Sequence, residues 1–439
     1  MRFALFLLAV ASSYSQVVSG QTARDPQEVL SQARAKLREM TGRLEKYACI
    51  ETIERQYFQH VTPDVEPALV RAPAPTCKAA FASQNRLRED STDRLRLEVT
   101  VSQGREIQAW PGATQFDARG VDEIVRQGPI GTGAFGTYLL GVFENPSVVF
   151  TYSGEKLDEG KSVMEFTYRV PVEVSRYRVK VGADWQVVAY DGAFWVDPVT
   201  LQMRRLTVHS SELPPATTIC DASTTLEYQL LRVGDNELLL PKQSRMHIVL
   251  ASTRETQNTT TFSDCREYHA ESSLLFDDRP DTELPSVKPI VRAPLVLPIG
   301  LPVTLALTAP LDTSTAAAGD IVSAKVLKAV RRPGAAQDLI PAGATVKGRI
   351  ARLEHHLFPE PYFVIAISYN RVELGGVSSP FAARLESNNQ PTAGQGFESR
   401  PRARGLEFWD IGTFVFPSSK SRYVLPAGYE SKWFTLATR

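Results

Sequence analysis

Two short motifs contain residue types that catalysis uses in other proteins. Gly131, Gly133 and Gly136 match the spacing of a dinucleotide-binding loop, and Ser153 with Lys156 matches that of serine acyl-enzymes. The first chemistry needs a parallel βαβ unit with an acidic residue about 20 positions further on. The second needs the lysine one helical turn after the serine and a companion K-T-G motif, which the chain lacks. Because the surrounding pattern favours antiparallel strands, we predict that both motifs form turns.

Histidines and paired carboxylates offer little further chemistry. None of the histidines belongs to an H-E-x-x-H motif, and adjacent residues on a strand face opposite ways, so His355 and His356 are not expected to chelate one ion. Glu51 and Glu54 could be imagined as an acid and a base, but residues three apart on a strand also face opposite ways. We therefore predict that this pair contributes only surface charge. For the chain as a whole we predict no metal, no cofactor and no enzymatic activity. The histidines are His60, His209, His247, His269, His355 and His356.

Large apolar side chains suggest binding instead of catalysis. A curved antiparallel sheet can leave its concave face partly unfilled, and such a cleft would suit an acyl chain or another hydrophobic ligand. The alternative is that the same residues form an ordinary core. The candidate ligand-binding residues are Trp110, Phe166, Trp185, Trp195 and Met203, with Tyr190 beside them.

Composition and the N-terminus indicate an exported protein. The chain has 439 residues, 43% of them apolar, with 49 basic and 49 acidic side chains. This balance argues against nucleic-acid binding, which usually needs a basic excess. Residues 1–20 combine Arg2, a short apolar run and the small-residue end Val18-Ser19-Gly20, which predicts a signal peptide. No other segment has about 18 uninterrupted apolar residues, so we expect a periplasmic or secreted chain without a transmembrane segment.

Four cysteines in an exported chain predict two disulfides. They are Cys49, Cys77, Cys220 and Cys265, and the sequence alone allows three pairings. We favour Cys49–Cys77 with Cys220–Cys265, because each bridge would then close a loop within one region of the chain.

The elements predict a mainly β (α+β) protein. Asp25 and Pro26 can begin a helix, followed by an apolar stripe from Leu30 to Tyr47. Short strands with turn residues between them then recur about every ten residues, which is typical of an antiparallel sheet or barrel. The central hairpin is Gly192–Leu206, with Phe194 and Val196 on one face, Trp195 on the other, and a turn at Asp197-Pro198.

Proline and charge divide the chain into two regions. Residues 277–294 contain four prolines and several charges, as in a linker. We therefore predict a signal peptide at 1–20 and a curved sheet with an N-terminal helix at 21–276. A linker at 277–294 would connect this sheet to a small β-barrel at 295–439.

The first region resembles the outer-membrane lipoprotein carrier and sorting proteins of the LolA/LppX type. The resemblance covers about residues 26–276 and rests on the helix, the meander and Phe194-Trp195-Val196-Asp197-Pro198. It implies a half-barrel wrapped around helices, whose concave face holds acyl chains. The segment Tyr47–Arg55 also resembles the opening of exported proteins from soil bacteria.

The second region resembles the β-barrel of TrbI-type conjugation proteins. The matching residues are Thr315–Val326 and Leu339–Arg349. The resemblance implies a small barrel of a kind found in outer-membrane channel complexes.

These observations lead to one main hypothesis and two alternatives. The main one is a non-enzymatic envelope protein that binds a hydrophobic, lipid-like ligand or an envelope partner. The first alternative is a structural component of an outer-membrane-associated assembly, joined to its partners through exposed strand edges. The second is a hydrolase with an unrecognised site, which a cleft with perturbed titratable groups would favour.

Overall fold

In this computed structural model, the described residues are 24–60, 76–83, 87–113, 116, 120–125, 128–181, 184–210, 212–267, 297–386 and 412–438. The predicted signal peptide at 1–20 and linker at 277–294 lie outside them. The described residues form four α-helices: α1 (Pro26–Thr41), α2 (Cys77–Ser83), α3 (Val121–Ile124) and α4 (Thr137–Phe143).

The strands confirm a mainly β protein with an N-terminal helix. Those before residue 268 are β1 (Tyr47–His60), β2 (Leu87–Ser102), β3 (Arg105–Ala109), β4 (Val149–Asp158), β5 (Lys161–Val170), β6 (Arg178–Val181), β7 (Asp184–Val187), β8 (Tyr190–Val196), β9 (Met203–His209), β10 (Ile219–Val233), β11 (Asn236–Leu250) and β12 (Glu255–Glu267).

The later strands are shorter on average. They are β13 (Pro302–Leu307), β14 (Leu311–Asp312), β15 (Ile321–Val326), β16 (Val330–Arg331), β17 (Asp338–Ile340), β18 (Thr345–His356), β19 (Tyr362–Leu374), β20 (Val377–Pro380), β21 (Ala383–Leu385), β22 (Thr413–Pro417), β23 (Val424–Leu425) and β24 (Glu430–Thr435).

Helix α1 begins and packs as its sequence predicts. The Asp25 side chain accepts a hydrogen bond from the Gln27 backbone N–H at 3.0 Å, and Pro26 occupies the first turn. Leu30, Ala33 and Leu37 are buried against the sheet, because spacings of three and four place them on one helical face.

The N-terminal strands form one curved antiparallel sheet. Its order is β4-β5-β8-β9-β10-β11-β12-β1-β2-β3, and neighbouring strands are antiparallel. The predicted central hairpin is β8–β9, with Phe194 and Val196 fully buried. Its turn is held by Asp197, whose Oδ1 accepts hydrogen bonds from Val199 and Thr200 backbone N–H groups at 2.8 and 2.9 Å.

The C-terminal strands surround a separate hydrophobic core. Strands β13, β15, β18 and β19 pair in that order, and β24 pairs with both β13 and β21. Trp433, Phe414 and Ile365 lie at the centre of this core. Across the described strands as a whole, the sheet is large, antiparallel and not closed.

The two regions share backbone hydrogen bonds. Asp93 of β2 lies opposite Glu354 of β18, so the sheet continues from one region into the other. Ala318 forms two backbone hydrogen bonds to β2, both 2.8 Å long. Its carbonyl accepts from the Arg96 N–H, and its own N–H donates to the Arg94 carbonyl. We call this contact the junction.

The favoured disulfide pairing is wrong. The bonds are Cys49–Cys265 and Cys77–Cys220. Strand β1 pairs with β12, far along the chain, so Cys49 and Cys265 lie side by side in the sheet with Cα atoms 4.0 Å apart. Cysteines close together in sequence are not bonded to each other, because the last strand of the N-terminal sheet, β12, pairs with the first, β1.

Candidate functional site

The five predicted ligand residues do not lie in one cleft. Phe166 and Met203 are buried in the N-terminal core. Trp195 faces the other side of β8, where its Nε1–H donates to Glu165 Oε1 at 2.9 Å. Trp185 is 45% exposed on the separate β6–β7 hairpin, and Trp110 lies beside the junction.

Helix α4 fills the concave face that the sequence predicted to hold a ligand. The Phe143 ring lies 4.9 Å from the Phe194 ring and 5.8 Å from that of Phe150. Leu139 and Val142 are fully buried in the same core. The residues predicted to line an acyl cleft here therefore contact protein side chains.

The junction itself contains a cleft. It is small, with a cavity volume of about 40 Å³, and it opens to solvent. Trp110, alone among the five predicted residues, lines it. The other lining residues come from both regions of the chain: Arg55, Asp93, Arg94, Leu95, Ile124, Val125, Ala318, Ala351, Arg352, Leu353 and Glu354.

A buried ion pair forms one wall of the cleft. Arg55 Nε and Nη2 donate to the two oxygens of Asp93, both at 2.6 Å, and the Tyr57 hydroxyl donates to Asp93 Oδ2 at 3.0 Å. Burial raises the pKa of Asp93, against the opposing effect of these hydrogen bonds. Burial alone would lower the pKa of Arg55, but its hydrogen bonds to Asp93 keep that pKa above its ordinary value.

A second paired carboxylate, Glu354, lies beside Asp93 on the neighbouring strand β18. Arg352 donates to both oxygens of Glu354, at 2.8 and 2.9 Å, and His356 Nε2 lies 2.9 Å from Glu354 Oε2. Burial opposes ionisation, yet these hydrogen bonds lower the pKa of Glu354 to about 2. Arginines therefore pair with both Asp93 and Glu354. The cleft combines these charged groups with apolar side chains.

The glycine motif binds a buried carboxylate from β3. Glu106 accepts hydrogen bonds from the backbone N–H groups of Gly133, Gly136 and Thr137, at 2.6 to 3.3 Å. Gly133 has φ +115°, a conformation that glycine adopts without strain. These hydrogen bonds fix the glycine loop at the start of α4. The motif therefore has a structural role next to antiparallel strands.

Two further predictions need correction. Ser153 and Lys156 lie within strand β4, and Lys156 pairs with Glu165 at 2.6 Å, so the expected turn is absent at these positions. Glu51 is buried, whereas Glu54 is exposed and pairs with Arg94. Burial, with a smaller effect of Glu106, raises the pKa of Glu51 to about 8. The two glutamates do face opposite ways, but the face of Glu51 is the inner one.

The described residues contain neither a metal-binding group nor a membrane-spanning helix. Within these ranges, no group of three or more His, Cys, Asp or Glu side chains is arranged to hold a metal ion. The same part of the chain contains no helix with the length and hydrophobicity needed to cross a bilayer. His269 lies outside it.

Comparisons with known proteins gave two likenesses, both to solved structures. No family model matches the chain, and no curated protein matches it. A domain described as an outer membrane lipoprotein-sorting protein domain, from Vibrio parahaemolyticus, is 12% identical with a TM-score of 0.28, covering 56% of this chain and 93% of its own. A DUF1329 family protein from Desulfovibrio piger is 8% identical with a TM-score of 0.28, covering 58% and 98%. Neither establishes a shared fold, and the LolA/LppX-type and TrbI-type resemblances stay predictions.

Proposed function

We propose that this is a non-enzymatic, extracytoplasmic protein that binds a ligand with an apolar body and an anionic group. The junction cleft carries the proposal, because it combines an apolar floor with arginines and is built from both regions of the chain. The two disulfides of the chain support an oxidising compartment, since such bonds persist mainly outside the cytoplasm.

The apolar part of the ligand would lie against Trp110, Leu95 and Leu353. Removing apolar surface from water stabilises a complex by roughly 25 cal/mol per Å², and a Trp side chain offers a large area for such contact. At about 40 Å³ the cleft is smaller than the usual 300–1,000 Å³ of small-molecule sites, so the ligand would lie across its mouth instead of being enclosed.

The anionic group would bind Arg94 at the edge of the cleft, because Arg94 alternates with Asp93 and Leu95 and lies with Glu54 on the outer face of the sheet. Its Nη1 donates to the Ser314 carbonyl at 2.7 Å, and its Nε and Nη2 donate to Glu54 Oε1 at 3.0 and 2.7 Å. The Glu54 side chain is 55% exposed, and exposed ion pairs contribute at most about 1 kcal/mol. A ligand carboxylate or phosphate can therefore replace Glu54 at little cost, whereas Arg55 and Arg352 stay with their buried partners.

Filling the cleft should abolish ligand binding. Ala351 lines the cleft from a half-buried position on β18, so Ala351→Phe places a ring in the space without opening the core. With parinaric acid, a fluorescent fatty acid, as the probe, we expect the Kd to rise at least about tenfold, which corresponds to about 1.4 kcal/mol.

A matched substitution separates cleft filling from a general surface effect. Ala335 is an exposed turn residue in the same region, and Ala335→Phe should leave the Kd within about twofold. Saturable binding that Ala351→Phe leaves intact would place the site elsewhere, and failure of the wild-type protein to take up the probe would reject the proposal.

A second candidate is the assembly component, favoured by β4. Among the described strands, β4 pairs with β5 alone, and no other described strand pairs with its second edge. Val149 and Leu157 on this strand are 71% and 77% exposed. An added partner strand would protect the β4 amides from hydrogen exchange in protein isolated with its envelope partners, relative to the protein alone.

A further inference from the structure

The β6–β7 hairpin is a surface feature that the cleft does not explain. It forms its own two-stranded sheet, apart from the large one. All four residues of β7 are exposed, including Trp185 and Val187 at 45% and 43%.

The strand register places cations and apolar groups on one face of this hairpin. Lys180 lies opposite Trp185, and Arg178 lies opposite Val187. Directly opposed residues in an antiparallel pair share a face. Lys180 Nζ and Arg178 Cζ lie 5.5 and 5.7 Å from the Trp185 ring centre, within the range of cation–π contacts. We call Arg178, Lys180, Trp185 and Val187 the hairpin face.

Three acidic groups lie near this face, and one of them pairs with Lys180. Asp184 lies opposite Val181, on the face that Val179 buries. Asp122 of α3 pairs with Lys180 at 3.1 Å, and Glu173 lies in the preceding turn. Arg176, just before the hairpin, adds another cation, donating to the Gly104 carbonyl at 3.3 Å.

Trp195 also has two cations beside its ring, but these cations pair with carboxylates. Arg205 and Lys156 lie 4.3 and 5.5 Å from its ring. There, Lys156 pairs with Glu165, which also accepts from the indole N–H, and Arg205 faces two carboxylates. That surface is neutralised by its own side chains, whereas Arg178 of the hairpin face forms no ion pair with the described residues and lies beside an exposed indole.

We infer that the hairpin face docks on a phospholipid surface containing anionic headgroups. Tryptophan favours the boundary between headgroups and acyl chains, where its ring is apolar and its N–H remains hydrated. Arg178 and Lys180 would contact lipid phosphates, and each cation near an anionic surface adds to the affinity. Val187 would enter the same boundary beside the indole.

Vesicle co-sedimentation tests this inference. The full chain should bind vesicles of mixed phosphatidylglycerol and phosphatidylcholine, bind pure phosphatidylcholine more weakly, and dissociate as salt rises. The double variant Arg178→Glu/Lys180→Glu should lose at least about tenfold in apparent affinity. Trp185→Ser should weaken binding and remove the quenching of Trp fluorescence by brominated lipid.

A charge-matched control tests the location. Lys242→Glu/Lys347→Glu makes the same change in net charge at two exposed positions outside the hairpin and should bind as the wild type does. Equal loss in both double variants would mean that only net charge matters, and binding without Trp185 quenching would indicate a soluble polyanion site. Either result, or no vesicle binding by the wild type, overturns the inference.

Discussion

Asp93→Asn should lower the free energy of unfolding by about 3–5 kcal/mol. The substitution keeps the shape of the side chain but leaves the Arg55 guanidinium charged, with only 3% of its side chain exposed. The Pro129 carbonyl, 3.4 Å from Arg55 Nη1, is a neutral acceptor and does not replace a carboxylate. Urea denaturation at neutral pH measures the change.

A double variant shows whether the loss comes from an uncompensated charge. Replacing both partners with apolar side chains, Arg55→Met/Asp93→Leu, removes the charge altogether and should recover most of the stability. A residual loss of about 1–2 kcal/mol is expected because the Tyr57 hydroxyl then lacks its acceptor. If Asp93→Asn alone changes the unfolding free energy by less than 1 kcal/mol, the pair does not hold the junction together.

Strand β1 shows how far the sequence predicts this fold. Alternation in Tyr47–Tyr57 predicts a strand, and its odd-numbered residues do form the inner face. The same alternation places Glu51 and Arg55 among Cys49 and Ile53. A charged residue in register with buried apolar ones is the signal that could have identified both the buried carboxyl and the buried ion pair.

The junction could not be read from local pattern. Helix α1 and the β8–β9 hairpin depend on contacts between near neighbours, which period and turn chemistry encode. The cleft depends on pairing between β2 and β18, more than 250 residues apart in the chain. No turn or period encodes such a pairing. The Cys49–Cys265 bond escaped prediction for the same reason.

Glu51→Gln should stabilise the protein at neutral and alkaline pH. In the folded protein the pKa of Glu51 is about 8, against an ordinary value of 4.5, because the side chain is buried. The unfolded chain therefore releases this proton first, and the folded state becomes relatively less stable as the pH rises from about 4.5 to 8. Glutamine has no proton to release, so the variant should gain about 3 kcal/mol over the wild type at pH 7.

The pH dependence of the difference in unfolding free energy distinguishes this effect from a general gain in stability. The two proteins should differ least at about pH 4.5 and below, where Glu51 is largely protonated in the unfolded chain too, and should diverge steadily up to pH 8. Glu98→Gln is the matched control, because Glu98 is equally buried but pairs with Arg266. Losing this ion pair should not stabilise the protein, although Arg266, which is 53% exposed, stays solvated. A Glu51→Gln variant whose unfolding free energy runs parallel to that of the wild type across pH 5–8 would mean that Glu51 is ionised in the folded state, with a cation or solvent beside it.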